Sequence, residues 1–224
     1  MTNLSRHGPP WWTMEGIGSE GKAAAEGPRV DGRTARRDRN TDTVLDAVHE
    51  LFVEGELTPT VEDVAARAGV SARSIYRYFP DSTALRRAAL RRRIEVAEPF
   101  FQLQGVGQGP LEERIDRLVA HRLRLFEIAA PTIRAALTMA AGSRAISAQV
   151  ERRRQQLAEQ SRRHFAPELE ALAPDRAEAL AWCVDLLYQF ESLELLRRGG
   201  LSSEEMHRTL TAGIGSLLGA TAPT

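Results

Sequence analysis

Beyond about residue 40 the apolar side chains recur at helical spacing, and the alternation of a strand is almost absent. Val44, Leu45, Val48, Leu51 and Phe52 fall at i, i+1, i+4, i+7 and i+8, the stripe of one amphipathic helix. Val61, Val64, Ala65 and Ala68 predict a second helix of two turns, and Thr60 with Asp63 has the spacing of a capping box at its start. Gly69 stands where that helix has to stop in a left-handed conformation. Val70 plugs the corner, and Ser71 is placed to cap a third helix from Ala72 to about Phe79, ended by Pro80. In that helix Ile75 and Phe79 face inward, which leaves Arg73, Ser74, Tyr76, Arg77 and Tyr78 outside.

The remainder reads as helix with interruptions. Asp81 caps a long helix from Ser82 to about Gln102, followed by the linker Gly105-Val-Gly-Gln-Gly-Pro110. That glycine cluster lacks the lysine and hydroxyl residue of a phosphate-binding loop. Ile115, Leu118, Val119, Arg122 and Leu125 mark a helix from Leu111 to about Ala129, and Pro131 opens a short one, with Ile133, Leu137 and Met139, that ends at Gly142. A helix from Ile146 to about Phe165 is polar between Glu151 and Gln156, so its surface is expected to be wet. Residues 175–198 are apolar on more than one face, as in a helix buried on several sides. After Gly199 and Gly200, Ser202 or Ser203 caps a last helix to about Gly219, where Ala212, Gly213, Gly215, Ser216 and Gly219 permit close approach of another helix. The fold class is therefore all-α: a three-helix helix-turn-helix domain over 35–85, a linker helix over 82–102 and a helical C-terminal domain over 103–220. Residues 1–34, rich in glycine and proline, are expected to form a disordered extension despite Trp11 and Trp12, and Met14 offers a second start.

Charge changes the picture locally. Lys and Arg balance Asp and Glu at 30 each, yet between Arg67 and Arg93 eight arginines face Asp81 alone. Such asymmetry is the footprint of a nucleic-acid surface. Arginines pair with phosphates or guanine edges, and tyrosine hydroxyls bond phosphates, so the outer face of the third helix suits DNA. Arg91, Arg92 and Arg93 alone fit a solvated helix face equally well. Arg29, Arg33, Arg36, Arg37 and Arg39 precede the first apolar stripe, either as a basic arm for the minor groove or as a solubilising segment.

The run TVEDVAARAGVS from Thr60, then Ile75-Tyr-Arg-Tyr-Phe79, Pro80 and the Ala84-Leu85 pair, resembles the DNA-binding domain of TetR-family transcription regulators over about Asn40 to Leu85. The resemblance implies that Ala72, Arg73, Ser74 and Arg77, with the capping Ser71 beside them, lie where the family reads bases. It places Thr60, Tyr76 and Tyr78 where the family grips phosphates. Ser82 stands where the family usually has lysine, so Arg86 or Arg87 is expected to replace that contact. The partners implied are double-stranded DNA with a near-palindromic operator, a second copy of the chain and a small-molecule effector. The homodimer would pair the helices at about 175–198 and 203–219 in a four-helix bundle. The family's usual mode is repression relieved by the effector through the linker helix. Candidate pocket residues are Phe100, Phe101, Leu103, His121, Leu125, Phe126, Met139, Trp182, Tyr188 and Phe190, with His121 and Tyr188 as polar handles for a mostly apolar ligand. The same side chains would also serve as plain core.

Other classes find little support. His49, His121, His164 and His207 are scattered, with no His-x-x-x-His or Cys-x-x-Cys pattern, so no enzyme, metal or cofactor is expected. A non-specific architectural DNA-binding protein is the alternative, because phosphate contacts alone bind any sequence. Cys183, the single cysteine, excludes an internal disulfide, fits the cytosol and is expected to be buried filler. No apolar run of the first thirty residues is long enough for a signal peptide or a membrane span.

Overall fold

Thr60 and Asp63 set the start of α2 (Val61–Ala68) as their spacing predicts: the Thr60 hydroxyl accepts from the Asp63 N–H, and the Asp63 carboxylate accepts from the Thr60 N–H at 2.9 Å. The protein is described here by a computed structural model covering residues 32–219, with side chains from residue 40. Trp11, Trp12, Met14 and Arg29 lie outside the described residues, as do the side chains of Arg33, Arg36, Arg37 and Arg39. The first helix, α1 (Gly32–Glu54), begins before the boundary expected at residue 35. Positions 33–39 therefore continue the first helix and do not precede it as an arm.

Gly69 ends α2 at φ 66°, the left-handed region that glycine enters at least cost. Ser71 caps α3 (Ala72–Tyr76) by accepting from the Ser74 N–H at 3.2 Å. The third helix is shorter than expected. The Tyr78 and Phe79 N–H groups both converge on the Ile75 carbonyl, a tightening that fits the exclusion of the helical region just before Pro80. Asp81 caps α4 (Ser82–Ala97) through the Ala84 N–H at 2.7 Å. Behind these elements Val48, Phe52, Val64, Ile75 and Leu85 are fully buried, each contributing about 1.5–3 kcal/mol of apolar burial.

The linker helix stops at Ala97, not at Gln102: Pro99 has no N–H to extend it, and the chain tightens into a 3₁₀ turn over Glu98–Phe101. The next correction is also a proline. Pro131 opens no new helix but lies inside α5 (Leu111–Ala140), which runs through both segments read as separate. Its packing on the body over Leu118, Phe126 and Ala130 and on the head over Ala135 and Ala136 outweighs the lost hydrogen bond. Around it stand α6 (Arg144–His164), the short α7 (Ala166–Glu170), α8 (Pro174–Leu187), α9 (Phe190–Arg198) and α10 (Ser203–Gly219). The single helix expected over 175–198 is thus two. At the break Gln189 turns extended (ψ 151°), and the Ser192 hydroxyl takes up the Leu186 carbonyl. Val184 of α8 and Leu193 of α9 are buried in the body core, whereas Trp182, Leu186 and Leu195 remain exposed.

The glycine linker is tied down. Arg117 Nη1 donates to the carbonyls of Gly105 at 2.8 Å and Gln108 at 2.9 Å, and the Gly107 N–H donates to His164 Nδ1 at 3.1 Å. Cys183, expected inside, is exposed beside Trp182 on α8. Among the described residues no helix is long and apolar enough to cross a membrane.

Candidate nucleic-acid interface and interior cavity

Ile75 and Phe79 anchor α3 in the head, and this fixes what the helix presents. Arg73, Tyr76 and Arg77 are exposed, while Ser74 and Tyr78 are half-buried. Arg77 folds onto its neighbour: its guanidinium carbon lies 4.7 Å from the Tyr78 ring centroid, and Nη2 donates to the phenol oxygen. The Ser71 and Ser74 hydroxyls sit 2.8 Å apart. Thr60 Oγ1 donates to Asp63 at 2.6 Å, so it serves the cap of α2 while remaining at the surface. Ala72 is half-buried at the start of α3.

The arginine run is less free than its charge implies. Arg67 pairs with Glu54 at 2.6 Å and with Glu50 at 3.5 Å. Arg92 bridges Asp42 and Asp46 of α1, and Arg93 reaches Asp46 at 3.4 Å. Arg86 turns back to donate to the Pro59 carbonyl at 3.0 Å and to the Thr83 hydroxyl at 3.3 Å, locking the loop ahead of α2. These acids come from far along the chain, so no local spacing announces them.

A cavity of about 380 Å³ opens where α4, α5, α6 and α9 meet. Its walls are mostly apolar, with Leu90, Ile94, Leu125, Ile133, Leu157 and Phe190 among them. Leu90 and Ala136 belong at once to this wall and to the buried core of the head. A shape change in the cavity is therefore felt by the packing beneath the helix-turn-helix.

Residues 44–89, the first helix through the start of α4, match the family model described as bacterial regulatory proteins, tetR family. That match covers the head of this chain and not the body. A relative in Mycolicibacterium smegmatis, the HTH-type transcriptional repressor LfrR, is 30% identical over 89 residues. That match spans 40% of this chain and 47% of the relative, so this chain corresponds to about half of it. A tetR-family regulator from Streptomyces coelicolor has the same fold, with TM-score 0.62 at 23% identity, covering 83% of this chain and 82% of that one. A structure described as the SmeT–triclosan complex matches at TM-score 0.53 and 18% identity, over 81% of this chain and 91% of that one.

The candidate pocket residues divide. Phe101, Leu125, Tyr188 and Phe190 line the cavity. Phe126 packs in the body core with its ring centroid 5.6 Å from that of Phe190, and Leu103 is buried in the same core. Met139 leans on the head core, and Phe100 and Trp182 are at the surface. His121 belongs to a polar layer outside the cavity, with Nδ1 3.0 Å from Arg122. Sequence reading missed most of the α6 wall, including Ala145, Ile146 and Val150, because that helix appears polar through its middle.

Beneath Tyr188 lies a buried charged network. Arg122 donates to Gln160 at 2.7 Å, to the Leu157 carbonyl at 3.0 Å and to Ser161 at 3.1 Å, and it lies 5.2 Å from the Tyr188 ring centroid. The Tyr188 hydroxyl donates a hydrogen bond to Asp185. Burial pushes the Tyr188 and Asp185 pKa values up, whereas burial and the Arg122 charge lower His121 to about 4. At neutral pH the His121 imidazole is therefore uncharged beside Arg122, and Tyr188 keeps its proton.

Proposed function

We propose that the chain is a sequence-specific, DNA-binding transcriptional regulator that acts as a homodimer and is released from DNA by a small, mostly apolar molecule held in the cavity. One observation carries the reading: α3 is fixed from behind by Ile75 and Phe79 while Arg73, Tyr76 and Arg77 stand exposed on a single face. In a major groove that face offers arginines to guanine edges and tyrosines to phosphates. The relative named as a transcriptional repressor supports the same reading, and repression is the mode we assign. The neighbour solved with triclosan supports an apolar effector.

Control follows from the shared wall. A ligand that shifts Leu90 or Ala136 acts on α4 and on the head core together. In a dimer such a shift changes the separation of two recognition helices, to which binding of two half-sites is sensitive. The dimer face we assign is α8 and α10, where Trp182, Leu186, Ala212 and Ser216 are exposed. The test is binding to a selected site in the presence of excess unrelated duplex. A specific regulator stays on its site; an architectural protein is lost to the competitor.

A further inference from the structure

The cavity carries charge of one sign only. Arg87, Arg91, Arg153 and Arg154 lie among its lining residues, and none of the lining residues is an aspartate or glutamate. Two of these arginines are already engaged: Arg153 pairs with Glu98 at 2.7 Å over the Phe101 ring, and Arg154 pairs with Glu191. Arg87 and Arg91 differ. They lie one turn apart on α4, they are exposed at the cavity, and among the described residues neither forms an ion pair. The adjacent Arg92 and Arg93 turn the other way, to the acids of α1. The run Arg91-Arg92-Arg93 therefore divides between a structural clamp and the cavity.

We propose that the ligand of this cavity is an anionic amphiphile, with its apolar body among Leu125, Ile133, Leu157 and Phe190 and its carboxylate or phosphate head held by Arg87 and Arg91. The inference rests on the effector reading above and adds the ligand's chemical class. Guanidinium groups bind carboxylates and phosphates through paired, charge-assisted hydrogen bonds, and two of them at i and i+4 suit one such head. A cationic ligand would meet only like charge, and a neutral one would gain no charge-assisted bond from either arginine. The position on α4 also gives the head group a direct hold on the helix that joins head and body.

The test is calorimetric titration of the purified full chain with dodecanoate, dodecyl phosphate, dodecanol and dodecyltrimethylammonium, each below its micelle concentration. We expect one or both anions to bind at least about tenfold more tightly than dodecanol, with the cation weakest. The stronger of the two anions identifies the head. In Arg87→Gln/Arg91→Gln the ratio of anion to dodecanol affinity should collapse towards one. Equal affinity for dodecanol and both anions, preference for the cation, failure of both anions to bind, or a variant that keeps the preference would overturn the proposal. Release of operator DNA is read separately. An anion that binds with the stated preference yet leaves the protein on DNA sinks the effector reading and upholds the anion site.

Discussion

Arg77 lies over the ring of Tyr78 and donates to its hydroxyl, so these two side chains form one unit. Tyr78→Phe keeps the ring beneath the guanidinium and removes the oxygen that a phosphate would meet. We expect it to weaken binding to all DNA sequences alike. Arg73→Ala and Arg77→Ala should each cost about 1–3 kcal/mol on the preferred site and relax the preference at particular base pairs. Parallel titrations on the preferred site and on single-base variants check this. Uniform weakening by all three substitutions would remove the base-reading role from α3.

Glu194 anchors α9 to α5. Arg134 meets it at 3.2 and 2.8 Å, and Arg197 and Arg198 each at 3.1 Å. The Arg134 hydrogen bond is the largest of the effects holding the carboxyl down at about 2. A carboxyl with a depressed folded pKa contributes stability above its ordinary value of 4.5, and the contribution is lost as pH falls towards 2. Glu194→Gln should cost about 2–3 kcal/mol in urea unfolding at pH 7. The gap from the unsubstituted protein should narrow by pH 3.

Histidines govern the range above that. His164 is fully buried, donates from Nε2 to the Arg114 carbonyl at 2.8 Å and accepts from Gly107 at Nδ1. Burial lowers its pKa, as it does for His121 and His49. The folded chain then binds fewer protons than the unfolded chain below about pH 6.5, so stability present above that value declines as pH falls towards 4. The melting temperature should drop between pH 7.5 and pH 5 at roughly 2–4 °C per kcal/mol lost. In His164→Gln the starting value should be lower and the slope flatter. A flat profile for the unsubstituted protein would contradict the assignment of neutral histidines.

The proposed dimer predicts that Leu186→Glu or Ser216→Arg yields a monomer by sedimentation. Both side chains are exposed on the chain alone, so the fold itself should survive, as helical circular dichroism would check. Affinity for a two-half-site operator should fall by about a hundredfold or more, because the second head is no longer delivered at high effective concentration. Variants that remain dimeric would move the interface elsewhere.

The head was legible from its sequence because its signals are local. Thr60 with Asp63, Gly69, Ser71 and Asp81 each act within a few residues, and all four cap or stop the helices expected of them. The misreadings share the opposite cause. Pro131 stays within α5 because packing along the whole helix compensates for one bond. The break at Tyr188 and Gln189 has no proline or glycine to announce it. The acids that neutralise Arg67 and Arg92 are separated from them by thirteen and fifty residues. The cavity is built from four helices, and of its lining only Phe101, Leu125, Tyr188 and Phe190 stood out in sequence.

Selection of bound sequences from random duplex DNA by the purified full-length chain tests the central claim most directly. The account predicts enrichment of a near-palindrome with two half-sites about one helical turn or more apart, and loss of the preferred bases with Arg73→Ala or Arg77→Ala. A bound pool as random as the starting pool would contradict it.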